Sequence, residues 1–187
     1  MSAIAPMPAL PEVTVPLGEL VPPRRRHYFT GRVDRAHYKA RRYDFGGSSQ
    51  YMPLVRAFLG TCAAERDSDY RYLFTLLGSE LANNALRHSR SGQPFGVYTL
   101  ICQRTRTGLR LTCRDQGSLE DRKSAPGRRF HLAPDPHGLN LSAESGRGLT
   151  MVDALATSWG DNGMCDYRQV WFFLAYDLTD SLWNATA

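Results

Sequence analysis

The sequence predicts a two-layer α/β domain in which a mixed, largely antiparallel sheet carries helices on one face. Three observations carry that expectation. A long stretch with helical spacing of apolar residues runs from the capping cluster Arg66-Asp67-Ser68-Asp69 to about His88. Two strand-like runs, Phe95 to Gln103 and Leu109 to Arg114, are joined by a short turn. A further helix and strand follow a long polar interval. At 187 residues, one domain with a tail fits better than two. A body of about 140 to 150 residues removes roughly 68 to 70% of its unfolded surface from water, so neither metal nor disulfide is needed to hold it.

The elements follow in chain order. Met1 to Pro23 holds six prolines, which deny helix hydrogen bonds, and reads as an extended, unstructured leader. The Arg24-Arg25-Arg26 run reads as solvated, or as a contact for an acidic partner. The folded body is expected to start between Tyr28 and Arg42. Arg41 to Phe45 suits a first strand, and Gly46-Gly47-Ser48-Ser49 a turn whose serines can cap a helix reaching about Ala64. The second helix and the hairpin come next. Gln116 to Gly146 is polar, rich in Gly and Pro and too long for an ordinary connector, as lids and inserts are. Leu149 to Thr157 is expected to be helical and Gln169 to Tyr176 a closing strand.

Composition excludes several classes. The chain is 42% hydrophobic and 22% charged, ordinary soluble usage. Its longest apolar run, Val170 to Tyr176, is far short of the roughly 20 residues that cross a bilayer. No basic segment precedes an apolar one near the start, so a cytoplasmic location is expected. Cys62, Cys102, Cys113 and Cys165 show neither C-x-x-C spacing nor a histidine at metal-ligand spacing, and read as reduced core thiols. Met1 to Asp44 carries eight Lys/Arg against four Asp/Glu, and the other residues fifteen against fourteen. A nearly neutral body with a basic arm is a poor match to a nucleic-acid-binding core.

Three segments carry chemistry. On the second helix, Leu73, Leu76 and Leu77 share a side with Glu80, Asn84 and His88, while Phe74, Leu81 and Ala85 form the adjoining apolar arc. Glu80 and Asn84 stack one turn apart at the margin of the buried surface, suited to a hard cation or to a nucleophile held against a phosphate. Alternatively, Glu80 caps a loop and Asn84 bonds backbone. Asp115-Gln116-Gly117 ends an apolar strand with a carboxylate able to accept from an exocyclic amine, or with an ordinary Asx turn. Gly146-Arg147-Gly148-Leu149 opens a helix whose free N–H groups and dipole favour phosphate.

Together the three segments resemble a known superfamily. Glu80-Leu81-Ala82-Asn83-Asn84-Ala85-Leu86-Arg87-His88 is similar to the N box, Asp115-Gln116-Gly117 to the first glycine box and Gly146-Arg147-Gly148-Leu149 to the second, of the Bergerat-fold (GHKL) ATPases. These include gyrase, Hsp90, MutL and histidine kinases. The small size and the run Gly148 to Ala156 followed by Trp159-Gly160 most resemble the anti-sigma-factor serine kinases of the RsbW and SpoIIAB type from actinobacteria. The resemblance covers about 41–175.

It implies a histidine-kinase-like ATPase domain at 41–178 with an ATP lid at about 116–145, flanked by a Pro/Arg-rich extension (1–40) and a tail (179–187). It further implies that Glu80 is the general base and that Asn84 ligates Mg²⁺ on the ATP phosphates. His88 would lie in the nucleotide site. Asp115 would bond the adenine amine, Gly117 would admit the ring, and Gly146, Arg147, Gly148 and Leu149 would form the phosphate cradle. Arg128, Arg129 or Arg147 would offset phosphoryl charge. The implied acceptor is a serine on a STAS-domain anti-anti-sigma protein, with a sigma factor as a second partner and a homodimer as the assembly. Histidine autophosphorylation is not expected, and His27, His37, His131 and His137 read as isolated surface residues.

Two departures stand out. Ser118-Leu119 follows Gly117 where the first glycine box has a second glycine, and Arg168 replaces the lysine that precedes the closing Val-Trp. The first departure bears more on turnover than on binding, and keeps open a nucleotide-sensing module that acts by occupancy alone. A histidine-kinase-like fragment serving a separate phosphotransfer protein is the third reading.

Overall fold

The computed structural model describes residues 21–30, 38–119, 129–134, 147–179 and 181–185. Five strands, β1 (Ala40–Gly46), β2 (Val97–Arg104), β3 (Gly108–Arg114), β4 (Ser158–Asp161) and β5 (Gln169–Ala175), form one sheet in the order β1-β2-β3-β5-β4. Every pairing is antiparallel. Helices α1 (Met52–Cys62), α2 (Ser68–His88) and α3 (Arg147–Leu155) pack on one face, and a single turn, α4 (Leu182–Ala185), follows β5.

The strand pattern explains the layering. Tyr98, Leu100 and Cys102 of β2, Leu109, Leu111 and Cys113 of β3, and Val170, Phe172 and Leu174 of β5 alternate with more exposed residues, so one face of each strand is buried. Register aligns them across the sheet: Cys102 lies opposite Leu111, and Leu111 opposite Phe172. Helix α2 meets this face with Tyr70, Leu73, Phe74, Leu77, Leu81 and Ala85, the three-and-four spacing of a helical stripe. Truncating a member such as Leu77, fully buried, to alanine costs about 2–5 kcal/mol. Asp67 caps α2 by accepting from the Tyr70 amide at 2.8 Å, an interaction typically worth about 1 kcal/mol.

The sequence reading is corrected at both ends. Residues 21–30, assigned to the extension, belong to the folded body. Val21 and Phe29 are buried, and the Phe29 ring lies 4.8 Å from that of Tyr43. Thr61 Oγ1 donates to the Tyr28 carbonyl, and Arg25 donates to the Arg42 carbonyl at 2.7 Å. The aromatic pair Tyr28-Phe29 covers Phe58 and Phe45 at the β1 edge, an apolar need that the neighbouring arginines and prolines mask in the sequence. At the other end, α4 within the expected tail brings Trp183 to 5.7 Å from the Tyr72 ring. The leader up to Leu20 and most of the expected lid lie outside the described residues.

Candidate functional site

A cavity of about 490 Å³ opens between the C-terminal half of α2, the end of β3, the start of α3 and the turn joining β4 to β5. Leu81, Asn84, Ala85, Arg87 and His88 of α2 line it, with Cys113, Asp115, Gly117, Ser118, Leu132, Leu149, Arg168 and Val170. The size suits a drug-sized or nucleotide-sized ligand.

Glu80 and Asn84 are half-buried on α2, and neither side chain has a hydrogen-bond partner among the described residues. Among the described residues, Glu80 caps no loop and Asn84 bonds no backbone group. Helix α3 begins directly against them. A Cβ built on the buried Gly148 would lie 2.6 Å from Glu80 Oε2 and 3.4 Å from Asn84 Oδ1, so only glycine allows the first turn of α3 so close to the carboxylate. Burial raises the Glu80 pKa, with the Arg87 charge opposing it. A carboxylate pushed that way binds a proton more tightly than a fully solvated one. Gly146 and the Arg147 side chain lie outside the described residues, as does Arg128.

The other end of the cavity is densely tied. Asp115 Oδ1 accepts from the Gly117 amide at 2.7 Å, so the Asx turn is present, and the Asp115 amide donates to the Arg168 carbonyl at 2.9 Å. Burial raises the Asp115 pKa, while the Gly117 and Arg168 amides and the Arg168 charge favour its ionised form. Gly117 has φ +84°, and a Cβ there would run into the Cys165 and Asp166 carbonyls. The glycine is thus needed for backbone shape and for packing against the 162–168 turn, a more local reason than admitting a ring. Ser118, at the position of the missing second glycine, donates its amide to Cys165 O at 2.8 Å and bridges to Ser89.

A network unforeseen from sequence anchors this end. Asp161 accepts from Arg168 Nη1 at 2.9 Å and from the Gly163 amide at 3.1 Å, and its Oδ1 lies 2.9 Å from His131 Nδ1. Arg168 also donates to the Phe130 carbonyl at 3.2 Å, and the Phe130 amide donates to Gly163 O at 2.8 Å. Segment 129–134, within the expected lid, is thereby fastened to the β4–β5 turn, and it presents Leu132 and Ala133 to the cavity. His131 is exposed as expected but is partnered, which corrects its reading as isolated. Arg168 stood out in the sequence only as a replaced lysine, and Asp161 not at all. Within a segment as short as β4, spacing alone carries no signal for a tertiary ion pair.

The structure therefore brings Asn84, His88, Asp115, Gly117 and Leu149 to one cavity, with Glu80 and Gly148 in contact beside Asn84. The profile of the family described as histidine kinase-like ATPase domain matches residues 48–165, which spans all of these. The chain belongs to that family: it is a GHKL, Bergerat-fold domain of the ATP-binding superfamily. A comparison with curated proteins finds no match to this chain. A carboxylate and a carboxamide with no partner among the described residues fit a Mg²⁺-bearing phosphate group, and the anchored carboxylate of Asp115 fits a base edge. Among the described residues no group of three or more His, Cys, Asp or Glu is placed to hold a metal ion. No helix among the described residues is long and apolar enough to cross a membrane.

Proposed function

We propose that this chain is an ATP-dependent serine kinase of the anti-sigma-factor type, which phosphorylates a STAS-domain antagonist and controls transcription by switching partners. A sigma factor is the second partner, and the chain acts in the cytoplasm. The observation that carries the reading is the free pair Glu80 and Asn84, half-buried against the start of α3, with no partner among the described residues. Leaving two polar groups so placed costs stability, which a bound phosphate and cation would recover.

In this reading Glu80 accepts the proton of the acceptor hydroxyl as the phosphoryl group leaves ATP. Asn84 would hold the Mg²⁺, which when bound neutralises phosphate charge and orients the triphosphate. Asp115 reads the exocyclic amine of adenine. Its anchoring by the Gly117 amide holds the carboxylate in place before the base arrives, so little ordering remains to be done on binding. His88 and Leu149 bound the same site, and the Gly148 amide, with Gly146 and Arg147, completes the phosphate cradle.

The test incubates the chain with labelled ATP and a purified STAS protein. Acid-stable label on the STAS serine, lost in Glu80→Ala, is the expected result. Equal labelling by both forms removes Glu80 as base. A second reading, a nucleotide sensor without transfer, draws on Ser118, whose bonds to the 162–168 turn replace a hinge glycine. Preserved ATP affinity without transfer to any STAS protein would favour it. Acid-labile label on a separate phosphotransfer protein would favour the histidine-kinase-like alternative.

A further inference from the structure

The sheet has a second face, turned away from the helices. The side chains that alternate with the buried rows form it, and Ile101, Trp171 and Phe173 there lie outside the core cluster. Register sets its rows. Ile101, Thr112, Trp171 and Gly160 run in line across β2, β3, β5 and β4, and Arg110 pairs with Phe173 in the next row. The two aromatic rings lie against glycines: a Cβ on Gly160 would meet the Trp171 indole at 3.0 Å, and one on Gly108 the Phe173 ring at 2.5 Å. These side chains therefore lie down across neighbouring strands instead of standing off the sheet.

Charge decides what such a face can take. The Arg110 guanidinium sits 3.8 Å from the centre of the Trp171 ring, and Arg114, on the same side of β3, is exposed. Neither has an acidic partner among the described residues, whereas Arg42 on β1 is paired with Asp44 at 3.3 Å. Four residues of strand separate Arg110 from Arg114, about 13 Å at roughly 3.3 Å per residue. Thr112 lies midway, with Ile101 and Trp171 beside it, as an uncharged strip. A second copy laid face to face would set arginine against arginine. A nucleic-acid strand needs a run of cations for its phosphates, and the indole on which a base would stack already carries Arg110. Two guanidinium forks flanking an uncharged strip instead match two carboxylates four residues apart on an extended segment, with an apolar residue between them.

We propose that this outer sheet face is a docking site for an extended acidic segment of a partner protein, which lies along β3 and presents an acidic, an apolar and an acidic residue at alternate positions. Each carboxylate accepts a two-pronged hydrogen bond from one guanidinium, and the apolar residue covers the strip at Thr112. Trp171 contributes by holding the Arg110 fork in place, which lowers the ordering that binding requires. The site lies on the opposite side of the sheet from the cavity and does not depend on nucleotide chemistry.

The test measures, by fluorescence anisotropy at physiological salt, binding of the full chain to a labelled peptide repeating Glu-Ser-Val-Ser, and to the same peptide with glutamine for glutamate. The glutamate peptide should bind about tenfold or more tightly than the glutamine one. Arg110→Gln combined with Arg114→Gln should weaken its binding about tenfold or more. Arg56→Gln combined with Arg71→Gln removes the same charge from exposed positions on α1 and α2, and should change binding by less than about twofold. Arg110→Lys keeps the charge but loses the planar fork, and should weaken binding about threefold or more. Equal losses in the two double variants, or none in Arg110→Lys, overturn the proposal, because overall basicity then accounts for the binding. It is also overturned if neither peptide binds at millimolar concentration, or if oligothymidylate binds the same arginines more tightly than the glutamate peptide. Self-association lost in the Arg110→Gln, Arg114→Gln variant, with peptide binding intact, would assign the face to a second copy and overturn it as well.

Discussion

The two ends of the cavity are built on opposite principles. Around Asp115 and Arg168 nearly every polar group is tied: to the Gly117 amide, to Asp161, to the Phe130 carbonyl. Glu80 and Asn84 have no side-chain hydrogen-bond partner among the described residues, and a glycine lets a helix terminus come up against them. A rigid end can discriminate shape, because its groups are already in place. An end with spare charge and spare acceptors suits a highly charged ligand that supplies its own counter-ion. In the proposed reading, recognition of the base and transfer of the phosphoryl group occupy separate neighbourhoods of this domain.

The largest expected effect of breaking the contrast is at the loose end. Glu80→Gln should reduce phosphoryl transfer about 10²–10⁴-fold, the usual worth of a general base, with ATP affinity nearly unchanged in an equilibrium titration. The same substitution should stabilise the nucleotide-free chain at neutral pH. Because burial raises the folded-state pKa of Glu80, the folded chain holds that proton more tightly than the unfolded one. Stability therefore falls as pH rises from the ordinary carboxylate range through the raised value. Thermal melts should show Glu80→Gln above wild type at neutral pH and level with it in acid. A lower melting temperature for the variant at neutral pH would contradict the claim of an unpartnered carboxylate.

At the rigid end the next effect is on stability. Asp161 is only 2% exposed, so Arg168→Ala leaves a buried carboxylate without its cation and should cost about 3–5 kcal/mol in denaturant unfolding. Gly117→Ala should cost about 1–3 kcal/mol or more, since it adds strain at positive φ to a collision with the 162–168 turn. The smallest effect belongs to His131→Ala. Its ring is 58% exposed, and losing the Asp161 contact should cost no more than about 1 kcal/mol, read in the same unfolding series.

Much of this was legible in the sequence, for physical reasons. The α2 stripe from Tyr70 to Ala85 and the alternation in β2, β3 and β5 are local periodicities imposed by burial, and they place the fold class and the N box directly. Helix α1 ends at Cys62 rather than Ala64, a difference of fraying at a terminus. Strand β4, four residues long, is too short to show a period and exists because β5 offers it an edge. The Asp161-Arg168-His131 network joins residues seven and thirty apart, which no local pattern encodes. Val21 and Phe29 were hidden in the same way: a pair of apolar residues among arginines and prolines carries no period, and it is the packing of Phe29 on Phe45 and Phe58 that makes sense of its burial.

The central claim is that the two neighbourhoods grip one ATP. A calorimetric titration with ATP, with and without magnesium, on wild type, Asn84→Ala and Asp115→Ala tests it most directly. The expected result is magnesium-dependent binding in wild type, loss of the magnesium dependence in Asn84→Ala, and affinity lowered about 10–100-fold for adenine nucleotides in Asp115→Ala, the equivalent of about 1–3 kcal/mol. Binding that is indifferent to magnesium in wild type, or unchanged in both variants, would contradict it.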